Sequence, residues 1–491
     1  MGEQKELLPS TSLPKRITMT LRSLFDQDVP SWSMQSSPIP SPCSSSCISS
    51  PLINKESPRR RVGSGGKTPN SSLSPVPTND DILSLISYCS FVFTFTDPAE
   101  SSSQQDSKRL KLNQLLYHIK YSRKPIDDEL VTPIMSMLSA NIFRPLPAPS
   151  HHLQLALDLP DDEETIATAY PNWPHLQIVY NILLRIIMNN DPEKLRPHVD
   201  RTFLLNLLAL FQSEDPRERE SLKNIYHLIY SKFTFHRSFL RWSMNDVLLQ
   251  YAFECERHCG IGEILEIWGS IINGFTVPLK KEHKLFLMRV LIPMHKPKCV
   301  AVYHKQLSYC VLQLVQKEPM LVGVVVRGIL RHWPMANSQK EVLLISELEE
   351  LVDNIEPDQY RRLALPLCTH FTRCMNSWNA QVAEQALYVW NNEQFVKMVS
   401  LAMEEVFPIV VKGVEMNLKW HWSNSVMQLT ENLKEMLVEM DTVLYYKCVT
   451  ELNLRRSSAA EQADRRKERW ERIESLAAGA TDTARTPSDT I

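Results

Sequence analysis

From about residue 80 onward, large apolar residues recur at helical spacing. Leu176, Val179, Tyr180 and Leu183 follow an i, i+3, i+4, i+7 pattern, which places them on one face of a helix. The same spacing occurs in two later segments, which contain Phe203, Leu204, Leu207, Leu208 and Phe211, and Val382, Ala383, Ala386, Leu387 and Trp390. Periodicity of this kind predicts a succession of amphipathic α-helices.

Two signals mark where helices begin. Ser338 is followed three residues later by Glu341, a capping-box pattern that predicts an N-cap at Ser338. Acidic residues also precede proline, which suits the first helical turn because its missing N–H needs no partner there. These pairs are Asp191-Pro192, Asp215-Pro216, Glu318-Pro319 and Glu356-Pro357. The last two are about 38 residues apart, a typical length for a two-helix repeat. We therefore predict an all-α fold, a HEAT-like helical-repeat solenoid over residues 81–477.

One stretch near the start of this region breaks the helical spacing. Phe91, Phe93 and Phe95 alternate with smaller residues, a pattern that by itself suggests a β-strand. Because everything downstream has helical spacing, we predict a helix end followed by an extended turn.

The segments outside the solenoid have a different composition. Residues 1–80 are rich in Ser and Pro and poor in large apolar residues, so they bury too little surface to offset their ordering entropy, and we predict a disordered tail. Its Ser-Pro and Thr-Pro pairs are either kinase sites or a compositional feature, and lie at Ser37, Ser41, Ser50, Ser57, Thr68 and Ser74. Prolines and then acidic residues predict a surface loop at about 145–170. Residues 478–491 are predicted to form a second disordered tail.

Charge and composition narrow the function classes. The 491 residues carry a formal net charge of −2, so no global basic field favours nucleic acid. We find no run of 18 apolar residues, and Met1–Glu6 lacks the apolar core of a signal peptide. We therefore expect a soluble protein with reduced thiols and no membrane span, located in the cytoplasm. The basic cluster Arg59–Arg61 makes the nucleus a second candidate compartment.

No catalytic, metal or cofactor motif stands out. Cys255, His258 and Cys259 suggest half of a zinc site, but no second Cys/His pair lies at finger spacing, so we interpret the two cysteines as buried or half-buried thiols on a helix. Gly66-Lys67-Thr68 matches the end of a phosphate loop, yet the leading glycine is missing and proline follows at once, which indicates a chance match. We expect a protein that is not an enzyme and has no cofactor.

A set of basic, aromatic and aliphatic residues predicts a binding groove instead. The set is His227, Tyr230, Arg237, Ile267, Ile271, Lys280 and His283. The first two share a face of one helix, the isoleucines share a face of a second, and the last two begin a third. Together they suit an extended peptide with apolar anchors and a carboxylate. Taken alone, the isoleucines are more simply explained as core residues and the lysine as a solvated charge.

Several long segments, in the right order, resemble the B-prime regulatory subunits of protein phosphatase 2A, most closely the plant members. They are Ala140–Pro145, Tyr170–Gln177, Ser213–Lys284, Leu291–Lys298, Asn337–Val342, Glu347–Glu350, Gln381–Leu387 and Trp390–Glu393. The similarity covers about residues 85–477. It implies a non-catalytic targeting subunit that joins a scaffold (A) and a catalytic (C) subunit. The alternative is a helical-repeat scaffold or adaptor that no longer binds the phosphatase.

The resemblance also implies roles for particular residues. The groove set would bind Leu-x-x-Ile-x-Glu motifs in substrates and adaptors, and Leu228 stands where the family has Arg, which removes a charge-assisted partner for acidic ligand positions. The charged turn resembles a loop that faces the catalytic subunit, although a generic helix start explains it as well. It contains Glu214, Asp215, Pro216, Arg217, Glu218, Arg219 and Glu220. Departures around Trp242, Ser243, Asp246 and Trp422 indicate a diverged member.

Overall fold

The structure is a computed structural model that describes residues 79–93, 102–121, 126–146, 170–254, 257–334 and 336–483, with side chains up to residue 477. The predictions for residues 1–78, for residues 147–169 of the loop and for residues 484–491 lie outside these ranges, as do Cys255 and Gly66–Thr68. Within them, the regular structure is entirely helical.

Nineteen α-helices lie in the described residues. The first ten are α1 Asn79–Cys89, α2 Ser102–Tyr121, α3 Asp128–Ile142, α4 Trp173–Asn189, α5 Pro192–Leu195, α6 Arg201–Ala209, α7 Pro216–Lys232, α8 Arg237–Glu254, α9 Ile261–Asn273 and α10 Lys281–Phe286. The others are α11 His304–Lys317, α12 Val322–Arg331, α13 Ser338–Val352, α14 Pro357–Met375, α15 Ala380–Tyr388, α16 Glu393–Ser400, α17 Met403–Trp420, α18 Asn424–Met440 and α19 Thr442–Thr483.

Each acidic-Pro pair begins a helical segment, as the sequence predicts. Proline opens α5, α7 and α14, and Pro319 opens the short 3₁₀ helix Pro319–Leu321. The carboxylate of Asp191 accepts a hydrogen bond from the backbone N–H of Glu193 at 3.1 Å, and Asp215 accepts one from Arg217 at 2.9 Å. These aspartates therefore satisfy N–H groups that the first helical turn leaves without a partner.

The predicted N-cap at Ser338 is wrong by one residue. Asn337 is the N-cap of α13, and its Oδ1 accepts a hydrogen bond from the backbone N–H of Lys340 at 3.0 Å. Glu341 does not complete a capping box, because its Oε1 accepts a hydrogen bond from Trp333 Nε1 at 2.9 Å. Asn and Ser have similar preferences for the N-cap position, so adjacent candidates cannot be ranked by residue type.

Helices stack on neighbours that lie one repeat away along the chain. In one layer α7 contacts α9, α9 contacts α11, α11 contacts α13, and α13 contacts α15; in the other α12 contacts α14 and α14 contacts α17. Stacked helix pairs bury a continuous core, in which Trp268, Leu314, Leu348 and Phe371 are almost fully buried. This confirms the all-α helical-repeat solenoid.

The contacts divide the chain into two compact units. The main unit contains the described residues in 143–173 and from 199 onward, and the N-terminal unit contains those in 79–142 and 174–198. In the N-terminal unit, α1 packs on α2 and α3. There Lys108 of α2 is buried and donates hydrogen bonds to Asn141 Oδ1 at 2.6 Å and to the carbonyl of Phe91 at 2.5 Å. Residues 91–93 have no regular structure, which agrees with the predicted turn.

Candidate functional site

Arg237 and Tyr230 form the best-defined part of the candidate groove. Arg237 opens α8, and its Nε and Nη2 donate hydrogen bonds to the carbonyls of Tyr230 and Ser231 at 3.0 and 2.9 Å. These carbonyls belong to the last turn of α7, where intrahelical partners run out. The guanidinium also lies 5.5 Å from the centre of the Tyr230 ring. The arginine is therefore held in one place by the end of the preceding helix.

Arg241 is a second cation at this site, and the sequence analysis missed it. Its Nη1 donates a hydrogen bond to the hydroxyl of Tyr230 at 3.0 Å. Its charge also helps to lower the pKa of Glu282 on α10, so Arg241 connects α8 with α10 electrostatically. The signal was available in the sequence, because Arg237 and Arg241 are four residues apart and share a helix face.

The start of α10 carries the two other polar residues of the set. Lys280 precedes the helix and is exposed. The ring of His283 stacks on Phe275, with ring centres 3.6 Å apart and planes 1° apart, and its Nε2 donates to Glu282 Oε1 at 3.3 Å. This hydrogen bond is the main cause of the lowered pKa of Glu282. Nδ1 of His283 has no hydrogen-bond partner among the described residues.

The two isoleucines lie in the interior of the repeat. Ile267 is 1% exposed and Ile271 is 5% exposed, both on α9, which packs between α7 and α11. In this conformation they offer a ligand almost no surface, which agrees with the interpretation of these residues as core. Their contact with a ligand stays a prediction.

The face of α7 that carries His227 and Leu228 is accessible. His227 is exposed, although partial desolvation of its ring lowers the pKa, so the imidazole is neutral near pH 7. Leu228 is half-buried and contributes no charge. Fixed positive charges at the groove set include those of Arg237, Arg241 and Lys280.

Two carboxylates of the charged turn are buried and paired within the fold. Glu218 is 1% exposed and accepts two hydrogen bonds from Arg144, both at 2.8 Å, and one from Ser213 Oγ at 2.6 Å. Asp215 is 2% exposed and pairs with the guanidinium of Arg217 at 2.9 Å. These carboxylates hold the turn and the start of α7 together.

The remaining residues of the turn supply its outer surface. Arg219 pairs with Glu263 of α9 at 2.7 Å and donates to the carbonyls of Ser213 and Glu214 at 2.9 and 3.0 Å. Pro216 and Glu220 are exposed, and Glu220 Oε2 lies 2.6 Å from Lys223 Nζ. A partner would meet a rigid turn whose outer face carries the Glu220 carboxylate.

Across the described ranges, no group of three or more His, Cys, Asp or Glu side chains could hold a metal ion. In the same residues, no helix is long and apolar enough to cross a membrane. Stacked helix pairs define the class: an all-α helical-repeat protein.

Comparisons with known proteins identify the family within this class. The family model of protein phosphatase 2A regulatory B subunits, the B56 family, matches residues 68–477, and the chain belongs to this family of non-catalytic subunits. The 57 kDa B' beta regulatory subunit of Arabidopsis thaliana is 40% identical over 438 residues, which cover 87% of each chain. The 59 kDa B' eta subunit of that species is 42% identical over 395 residues, covering 80% of this chain and 77% of its own. The 57 kDa B' kappa subunit of Oryza sativa subsp. japonica is 38% identical over 446 residues, covering 88% and 87%.

Proposed function

We propose that this chain is the targeting subunit of a protein phosphatase 2A heterotrimer and that it recruits substrates through the candidate groove. Family membership supports binding to the scaffold and catalytic subunits, since the match extends over most of the chain. Family membership also disfavours the alternative, a scaffold or adaptor that no longer binds the phosphatase. The observation that carries the recruitment role is the cluster in which Tyr230, Arg237 and Arg241 lie beside Glu282 and His283.

The cluster suits a short motif of the form Leu-x-x-Ile-x-Glu. Arg237 and Arg241 are held by Tyr230 before any ligand arrives, so little side-chain entropy is lost when a carboxylate binds between them and Lys280. A carboxylate that meets a fixed guanidinium forms charge-assisted hydrogen bonds, which are about twice as strong as neutral ones. The glutamate of the motif is therefore the position that this surface selects.

The mechanism follows from tethering. A substrate docked on the repeat is held close to a catalytic subunit carried on the same assembly, so dephosphorylation becomes an intramolecular event. The local concentration reaches the millimolar range when the linker between docking motif and phosphosite has a suitable length. A weak motif contact therefore suffices to direct the phosphatase, and the repeat itself performs no chemistry.

A peptide titration tests the groove. We expect Arg237→Ala combined with His283→Ala to abolish binding of a synthetic Leu-x-x-Ile-x-Glu peptide to the full chain, with unchanged helicity by circular dichroism. Because Arg237 also caps α7, two single variants that leave this cap intact are needed as well. Lys280→Ala is expected to weaken binding about tenfold. Lys281→Ala, which changes the exposed neighbour, is the control and is expected to leave binding unchanged. Wild-type affinity in the double variant and in Lys280→Ala would refute the assigned groove.

A separate experiment tests the assembly. The full chain mixed with scaffold and catalytic subunits is expected to elute as a heterotrimer in gel filtration. Failure to do so with intact peptide binding favours the adaptor alternative, whereas a heterotrimer without peptide binding refutes only the groove. The compartment stays a prediction, the cytoplasm with the nucleus as second candidate, and imaging of the tagged chain tests it.

A further inference from the structure

Three tryptophans are exposed on two adjoining turns of the main unit. Trp378 lies between α14 and α15 and is 76% exposed. Trp420 is the last residue of α17 and Trp422 lies between α17 and α18, and they are 67% and 63% exposed. We call these three residues the tryptophan patch. Exposed apolar surface of this size marks interaction sites, and tryptophan is the residue type most enriched among binding hot spots.

The two turns are fixed to each other by side-chain hydrogen bonds. Trp422 Nε1 donates to the carbonyl of Trp378 at 2.9 Å. His421 Nδ1 accepts a hydrogen bond from the backbone N–H of Ser423, so its Nε2 carries the proton and donates to the carbonyl of Ser377 at 3.0 Å. The two turns are therefore held together before any ligand binds, and the indole of Trp422 is fixed between them.

The chemistry of the patch favours an uncharged ligand. Residues 376–380 and 420–425 contain no Asp, Glu, Lys or Arg, and the adjacent residue Lys419 places its Nζ 5.1 Å from the centre of the Trp420 ring. Indole rings pack against proline, and indole N–H groups donate to carbonyls. A polyproline II segment offers both prolines and carbonyls without internal hydrogen bonds, and aromatic-lined surfaces recognise it for that reason.

This chain carries such a segment. Pro38, Pro40 and Pro42 alternate with Ile39 and Ser41, and no charged residue occurs from 29 to 54. Alternating prolines of this kind favour polyproline II. About 36 residues separate Pro42 from α1 and extend to roughly 120 Å at full stretch. That is about twice the length of α19, the longest helix among the described residues, at roughly 63 Å.

We propose that the tryptophan patch is the docking site for residues 37–42 of the chain's own N-terminal segment. Because both are on one chain, docking has a high effective concentration and needs only weak contacts. The inference is independent of the phosphatase assignment.

Hydroxyl-radical footprinting of the full chain, read residue by residue by mass spectrometry, tests the proposal. Replacing Pro38, Pro40 and Pro42 by Ala is expected to raise the modification rates of Trp378 and Trp420 at least threefold. Trp470 of α19, which is 69% exposed and outside the patch, is the internal reference and should not change. A synthetic peptide of residues 34–42, added in excess, should restore protection in the variant.

A matched variant serves as the control, and two outcomes would overturn the proposal. Pro75→Ala with Pro77→Ala removes a second Pro-x-Pro pair from the same segment and should leave protection intact. Equal modification of both tryptophans in the wild type and the Pro38/Pro40/Pro42 variant would overturn the proposal. Protection that depends on protein concentration and survives those substitutions would also overturn it, because a second copy would then cover the patch.

Discussion

At the scale of single residues, a carboxylate buried between two histidines in the core supports a prediction about stability. Glu347 of α13 is buried between His295 and His304, whose Nε2 atoms lie 3.0 and 2.8 Å from its oxygens. His295 Nδ1 also faces the carbonyl of Ile292 at 3.0 Å, so both ring nitrogens can donate and the imidazolium form is satisfied. Burial by itself lowers the pKa of His295, but the Glu347 carboxylate outweighs it and raises the pKa.

The ion pair between His295 and Glu347 predicts that the stability of the fold depends on pH. The folded-state pKa of His295 lies above its ordinary 6.5, so its stabilisation is complete below about pH 6.5 and is lost as the pH rises. The histidines depress the pKa of Glu347 from 4.5 to about 2 despite burial, so its stabilisation is complete above about pH 4.5 and is lost as the pH falls toward 2. We expect Glu347→Gln to lower the free energy of unfolding by about 3 kcal/mol at pH 6, since it leaves a buried histidine without its counter-charge.

Urea denaturation of both proteins from pH 4 to 9 measures this effect. The difference between wild type and variant should be greatest between about pH 4.5 and 6.5 and shrink on either side. A difference that does not vary with pH would mean that Glu347 acts by shape and hydrogen bonding alone.

Leu228 supports a second prediction at this scale. Because it is half-buried on α7 beside the exposed His227, Leu228→Arg would place a guanidinium next to the groove set. A new charge-assisted hydrogen bond contributes about 1.5–3 kcal/mol when well formed, so an acidic motif peptide should bind at least about tenfold more tightly. Calorimetric titration measures the change, and Leu228→Met serves as the uncharged control. If affinity does not improve, the side chain at 228 does not face the ligand.

Single residues were also the hardest to predict. The groove set was predicted from residue types and spacing. Which of its members are accessible depends on how α7, α9 and α11 pack, and that packing buries Ile267 and Ile271. The i, i+4 spacing places Arg241 on the helix face of Arg237, but one sequence does not indicate that its guanidinium reaches the Tyr230 hydroxyl. Side-chain geometry of this kind is set by tertiary contacts, not by local spacing.

At the scale of elements, the sequence was more informative. Acidic-Pro pairs predicted helix starts correctly because proline and an N-cap aspartate act within one turn. Boundaries without such a marker were shifted. Residues 478–483 were predicted to belong to the disordered C-terminal tail, but they continue α19 as far as Thr483.

Two helical glycines differ in the space around them, and this difference predicts how the protein responds to alanine at each position. At Gly413 of α17, an added Cβ would lie 2.4 Å from Thr372 Cγ2 and 2.6 Å from Met375 Cε of α14, whereas at Gly262 of α9 the nearest atom is 3.8 Å away. Gly413→Ala should therefore destabilise the protein by about 1–3 kcal/mol through overpacking, and Gly262→Ala should stabilise it by up to about 1 kcal/mol through helix propensity. Thermal denaturation gives both values. Equal effects at the two positions would show that α14 and α17 can separate without cost.

At the scale of the whole molecule, fold class and family were predicted and the division into units was not. Helical spacing and repeat length indicate stacked helix pairs without any knowledge of their contacts. Residues 174–198 join the N-terminal unit although they follow residues 143–173 of the main unit. The unit to which such a segment belongs depends on long-range packing, and the spacing of residues along the chain does not indicate it.

The charged turn supports the last prediction, which concerns assembly. Its buried carboxylates pair with Arg144 and Arg217. Glu220 is exposed, and within the described residues it pairs with Lys223 and accepts a hydrogen bond from Asn224, both on its own helix. Loss of a surface ion pair costs at most about 1 kcal/mol, so Glu220→Lys should leave the fold and motif-peptide affinity unchanged. If the turn faces the catalytic subunit, the reversed charge should weaken association with a scaffold–catalytic complex about tenfold, as measured by biolayer interferometry. Glu404→Lys, at an exposed position on α17, makes the same charge change elsewhere and should bind normally. Equal affinities of the two variants would remove this turn from the interface.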